Sequence, residues 1–249
     1  LLNNLLRFPS AKSPAASYGT AIHASLQQLH NLLRADHRLP PTERILHYFR
    51  TSLEAQHLMP DDFALYLDRG TAALTAFLDA KSSDFHDTEL AELDFAHQGV
   101  VVGGARLAGQ LDVADIDKHN KTIFVTDYKT GKPSHSGKGT SDYEKIKLHK
   151  YRQQLMFYEL LCANSRDYAK YDFGGAVLQF VEPDSRGDIY QLDDRFSRDE
   201  LADFQRLIAS VWHCITTLEL PDISSYQASY QGIIQFEKDL ISSEYPARE

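Results

Sequence analysis

The stretch Gly109–Lys132, GQLDVADIDKHNKTIFVTDYKTGK, decides how the rest of the chain is read. It spells two neighbouring strands joined by a short turn. Residues 123–126 are apolar or β-branched on both faces, as in a strand lying in the middle of a sheet. Side chains alternate along a strand, so Asp127 and Lys129 leave on one face and Tyr128 on the other. Two charges therefore end a buried strand, and a buried ion is costly unless it is paired or bound to a metal. Asp112, on the preceding strand, adds a second carboxylate. Carboxylates from adjacent strands can converge on a hard divalent cation. A lysine on the same face can orient an attacking water or offset charge on a phosphate. The same three residues also fit an Asp–Lys ion pair at a strand end, and the spacing leaves both readings open.

At 249 residues and 43% hydrophobic, the chain can bury one sizeable core. We expect a single domain over 1–249: a mainly helical part at 1–83, the sheet and active-site core at 84–195, and a C-terminal helix and tail at 196–249. The opening LLNNLL, with no initiator Met, reads as part of a longer chain. No apolar run approaches the roughly 18 residues that span a bilayer, which argues against a membrane protein. The two cysteines, Cys162 and Cys214, form neither a CxxC pair nor a disulfide framework, and reduced thiols in a cytoplasmic protein are expected. The net charge of −9 argues against a generally basic surface. Yet Lys118–Arg152 holds nine Lys or Arg against three acids. Such a run reads either as a solvated loop and helix face or as a track for a phosphate backbone.

Upstream, Ile22, Leu26, Leu29 and Leu33 share one face of a helix predicted over Ala21–Arg34, with Thr20 as its N-cap and His23 beside the stripe. Helices are also predicted over Pro41–Gln56 and Asp61–Ala80. The period then changes. Strands are predicted at Glu92–His97, Gly99–Val102, Arg106–Ile116 and Lys121–Lys129, in sequence an antiparallel meander. Gly131–Ser141 reads as a surface loop; it lacks the spacing and the hydroxyl of a P-loop. A helix over Asp142–Ala163 follows, then strands at Gly174–Val181 and Asp188–Leu192, and a helix over Ser197–Leu218 opened by a capping pattern. The last thirty or so residues, polar and weakly periodic, are expected to wrap the surface.

Several segments then fall in one order: Gly19-Thr20-Ala21-Ile22-His23, Glu92-Leu93-Asp94-Phe95, Gly109-Gln110-Leu111-Asp112, Val125-Thr126-Asp127-Tyr128-Lys129-Thr130-Gly131, and Gln154-Leu155-Met156-Phe157-Tyr158. As a set, from about Tyr18 to Leu161, they resemble the RecB-like branch of the PD-(D/E)XK nuclease superfamily. The resemblance implies an α/β, restriction-endonuclease-like core: a mixed central β-sheet flanked by helices, with an N-terminal helical region. It implies a metal-dependent DNA nuclease using Mg²⁺ or Mn²⁺, of the kind found C-terminal to superfamily 1 DNA helicases, with DNA and a helicase domain as partners. His23, Asp112, Asp127 and the Tyr128 carbonyl then look like metal ligands, and Lys129 like the catalytic lysine. Gln154 and Tyr158 resemble a Q-x-x-x-Y pair near the active site, placed on one helix face by their i, i+4 spacing. Glu92 resembles the acidic residue of the first strand. The basic Lys132, Lys138 and Arg152 would hold the DNA strand. Some relatives carry four cysteines around an iron–sulfur cluster; two distant cysteines cannot supply that ligation, so no cluster is expected. The alternative is a catalytically silent domain of the same fold that binds DNA or a helicase.

Overall fold

The computed structural model describes residues 12–131 and 141–242. These form two compact units, one of residues 12–91, 128–131 and 180–190, the other of 92–127, 141–179 and 191–242.

Three helices build most of the first unit: α1 (Pro14–Asp36), α2 (Thr42–Glu54) and α3 (Pro60–Lys81). Helix α1 starts well before the expected Ala21. Ser13 accepts the Ala16 N–H at 3.2 Å and Pro14 occupies the first turn, where its missing N–H has no cost. Thr20 is therefore not a cap; its hydroxyl donates to the Ala16 carbonyl inside the helix. Tyr18, Ile22, Leu26 and Leu29 of α1 pack with Ile45, Phe49 and Leu53 of α2 and Leu74 and Phe77 of α3, all essentially buried.

The expected meander is not what forms. Strands β1 (Glu89–Asp94), β4 (Gln110–Asp117), β5 (Thr122–Lys129), β6 (Asp172–Phe180) and β7 (Gln191–Asp193) make one sheet in the order β1-β4-β5-β6-β7. Strands β2 (Val101–Val102) and β3 (Ala105–Arg106) instead pair with each other. The cause is the turn between them. Gly103 and Gly104 both have positive φ, 55° and 81°, which suits a tight two-residue hairpin and closes β2 on β3 before either can reach a third strand. The Phe95 N–H then donates to the Gly109 carbonyl, joining the end of β1 to the start of β4, so this pair is antiparallel.

Strands β4 and β5 are antiparallel, with Val113 opposite Thr126 and Asp117 opposite Thr122. Strands β5 and β6 are parallel, since Asp172 bonds to Lys121 at their starts and Val181 to Lys129 at their ends. The sheet is thus mixed and flanked by helices, a restriction-endonuclease-like α/β core. Although β5 lies in its middle, Phe124 is 39% exposed, so the strand is not covered on both faces along its whole length.

The second unit is completed by α4 (Asp142–Ala163), α5 (Arg198–Thr217) and α6 (Tyr230–Ser242). Capping boxes Ser141/Glu144 and Ser197/Glu200 open α4 and α5. Helix α6 corrects the expectation of an irregular tail: Ile233, Phe236 and Leu240 follow helical spacing on one face, which the intervening polar residues obscured. Among the described residues, no helix is long and apolar enough to cross a membrane.

Candidate active site

The site begins with strand register. Continuing the β4–β5 pairing by one step sets Asp112 opposite Asp127, on the same face of the sheet. Glu92 joins from β1, offering a carboxylate oxygen within 4.8 Å of one on Asp112. Its backbone lies in the left-handed region, at φ 55°, a conformation that a non-glycine residue adopts only when its surroundings enforce it. The bend re-aims the side chain partway along a strand, while the Glu92 carbonyl accepts from the Gln110 side chain of β4 at 3.4 Å. Glu92 and Asp112 thus bring carboxylate oxygens together in the second unit, with Asp127 across the strands from Asp112. A hard divalent cation takes such oxygen ligands, so the donor set fits one.

Helix α4 holds Asp127. Gln154 donates to its Oδ1 at 2.9 Å, and the Tyr158 hydroxyl donates to the same oxygen. Gln154 also donates to the Tyr158 oxygen, so the i, i+4 pair acts as a linked clamp on one carboxylate. Asp127 is only 3% exposed and Tyr158 5%. Burial, followed by the negative charge of Asp127 and then that of Asp112, drives the Tyr158 phenol far above its ordinary pKa. It therefore remains a proton donor throughout the neutral range. Tyr151, two turns before Tyr158 on α4, is pushed up to about 12, first by burial and next by Asp127.

In the first unit the end of β5 is fixed from two directions. The buried Tyr128 hydroxyl lies 2.8 Å from His30 Nε2, and His30 Nδ1 lies 3.0 Å from Glu89. Strand alternation then leaves Asp127 and Lys129 on the other face. Beyond Lys129, Gly131 adopts φ 108°, which favours glycine, and its N–H donates to Glu182 Oε1 at 2.9 Å. Glu182 is gripped in turn by the Arg69 fork, with both bonds at 2.9 Å, and that guanidinium stacks 5.1 Å from the centre of the Tyr18 ring. The Val181 N–H completes the clamp by donating to the Lys129 carbonyl.

Glu182 was not picked out from sequence, and no local signal marks it: its partners stand 51 and 113 residues away. Replacing it with alanine is expected to cost roughly 1–3 kcal/mol, discounted because the Arg69 side chain is 40% exposed. Thermal denaturation of Glu182→Ala beside Glu182→Gln checks this, and an unchanged midpoint in both would show that the clamp contributes nothing.

The remaining expected residues are placed as follows. His23 is half-buried on α1 and Lys129 half-buried at the end of β5, both in the first unit. Arg152 lies on a different face of α4 from Gln154, with NH1 at 2.9 Å from Asp194 and NH2 at 2.7 Å from Glu200, so its charge is engaged inside the second unit. Lys132 and Lys138 lie outside the described residues, as does nearly all of the Gly131–Ser141 loop.

The family model for the PD-(D/E)XK nuclease superfamily matches residues 1–228. Among solved structures, one titled "Crystal structure of SSO0001" is similar over 94% of this chain and 90% of its own, at 13% identity and a TM-score of 0.32. No curated protein matches the chain in sequence.

Proposed function

This chain belongs to the PD-(D/E)XK nuclease superfamily, and on that footing we propose that it is a Mg²⁺- or Mn²⁺-dependent deoxyribonuclease that hydrolyses phosphodiester bonds. The observation that carries the reading is the register of Asp112 opposite Asp127, with Glu92 within 4.8 Å of Asp112 and Asp127 held by Gln154 and Tyr158. Asp112 and Asp127 would hold the cation, and Glu92 has the geometry to share in it. The family resemblance adds His23 and the Tyr128 carbonyl to that shell. When bound, the cation would polarise the phosphoryl group and lower the pKa of a coordinated water.

The chain's own residues do the rest. Gln154 and Tyr158 keep one oxygen of Asp127 occupied, so the carboxylate has a single orientation. Lys129, two residues along the same strand face, positions the attacking water and counters charge that builds on the phosphate oxygens. Glu182, Arg69 and the Gly131 turn hold the strand end from which Lys129 projects.

The resemblance to the RecB-like branch further supports an exonuclease that works beside a superfamily 1 helicase, in the same chain or complex, in DNA repair or recombination. The test is incubation of the purified chain with linear and covalently closed DNA in Mg²⁺, Mn²⁺ or EDTA. Loss of linear DNA with either metal, none in EDTA, and survival of closed circles are expected. Persistence of linear DNA in both metals rules the nuclease out, and nicking of circles rules out a strict exonuclease.

A further inference from the structure

Helix α5 carries an apolar stripe of which only part is covered. Leu207, Val211 and Ile215, at helical spacing along one face, line a cleft of about 530 Å³ together with Ile233 and Leu240 of α6 and Arg106 of β3, all in the second unit. The cleft is open to solvent: Val211 is 40% exposed and Ile215 53%.

Three residues beyond Ile215 the segment 218–223 begins, reading Leu-Glu-Leu-Pro-Asp-Ile. Leu218 is 82% exposed, Leu220 74% and Ile223 67%. Single exposed apolar residues are ordinary on a surface, but three within six positions, next in sequence to an open apolar cleft, mark a contact surface. The segment does not fill the cleft of its own chain, since all three side chains stand in water. It is also stiff. Leu218 ends α5 in the left-handed conformation, at φ 61°, which a leucine adopts at a cost. Pro221 fixes its own φ and biases Leu220 toward extended backbone. A segment already held extended loses little entropy on docking.

Charge is complementary as well. Arg106, exposed at the cleft, makes no ion pair among the described residues. The acids Glu219 and Asp222, both exposed, flank Leu220 and Pro221, and Glu219 is held only loosely, 3.9 Å from His213. A second copy of the chain supplies apolar segment, acids and cleft at once. A two-fold axis lets each copy serve the other, which closes the assembly at two subunits.

We propose that two copies of this chain pair about a two-fold axis, each inserting Leu218, Leu220 and Ile223 into the α5–α6 cleft of the other, with the acids of the segment meeting Arg106. The pairing stands apart from the nuclease reading, since none of these residues belongs to the site at Asp112 and Asp127.

Sedimentation equilibrium of the full chain over a range of concentrations tests it. A reversible monomer–dimer equilibrium is expected. Leu220→Asp should raise the dimer dissociation constant at least about a hundredfold, because the change falls on both contacts at once, and Val211→Asp should do the same from the cleft side. Arg106→Glu should raise it about tenfold. Thermal midpoints check that each variant is folded. Mixing Leu220→Asp with Val211→Asp is the decisive arm. One copy then keeps its cleft and the other its segment, so a heterodimer with a single intact contact forms where neither variant pairs alone. A monomer at every concentration overturns the pairing and leaves the cleft to another protein. A dimer that survives both aspartates, or a mixture that stays monomeric, overturns it too.

Discussion

Lys129→Ala is expected to cut DNA about 10²–10³-fold more slowly than the parent in Mg²⁺, the loss typical of removing one preorganised donor from developing charge. Most of that loss should appear in kcat, because the ammonium matters most when charge accumulates on the phosphate. Lys129→Arg should recover little, since a planar guanidinium neither occupies the place of an ammonium nor presents its donors in the same directions. The fold should survive both changes: the Lys129 carbonyl keeps its bond from Val181, and the Gly131 turn keeps its bond to Glu182. Single-turnover cleavage of a linear substrate, with circular dichroism of each variant, reads the two separately. Undiminished cleavage by Lys129→Ala would remove the lysine from the mechanism.

The second large effect concerns Asp112. In calorimetric titration with Mn²⁺, Asp112→Asn is expected to bind at least about a hundredfold more weakly, since even groups that merely orient ligands account for roughly 10–100-fold. Weaker Mn²⁺ binding by Asp112→Asn identifies a metal site; unchanged affinity identifies a structural pair and removes Asp112 from the metal shell.

The two outcomes mirror what could be read from the residues alone. Asp112, Asp127 and Lys129 were visible because strand periodicity is local: a run of β-branched and apolar residues ending in charges announces itself within ten positions. Gln154 and Tyr158 were singled out by the family resemblance, and their i, i+4 spacing adds that they share one face of a helix. The bond of both to the same oxygen of Asp127, 27 and 31 residues earlier, could not be. The meander failed at Gly103–Gly104, where a tight turn closed a hairpin too short to join the main sheet. The polar tail failed at α6, where three apolar residues on one face outweigh the composition around them.

Charge misled most. Counted along the chain, Arg152 belongs to a basic run that looks ready for phosphates. In the fold its guanidinium is neutralised by Asp194 and Glu200, more than forty residues downstream. Lys147, from the same run, instead sits with its ammonium 5.5 Å from the centre of the Tyr151 ring. A helix turns about 100° per residue, so neighbours in a basic run are sent to different surroundings, and only those surroundings decide whether a charge is available to a ligand.

The sequence by itself determined the helices, the strands and a strand ending in Asp127 and Lys129, which follow from side-chain periodicity and capping between near neighbours. The mixed α/β core and the pair Gln154 and Tyr158 came with the family resemblance, since periodicity alone pointed to a meander. Tertiary structure alone decided that Asp112 stands opposite Asp127, that a carboxylate oxygen of Glu92 comes within 4.8 Å of one on Asp112, and that Glu182 holds the turn beyond Lys129. Each of these depends on strand register or on hydrogen bonds between distant positions, and such pairings are selected by the packing of the whole chain rather than by any local pattern.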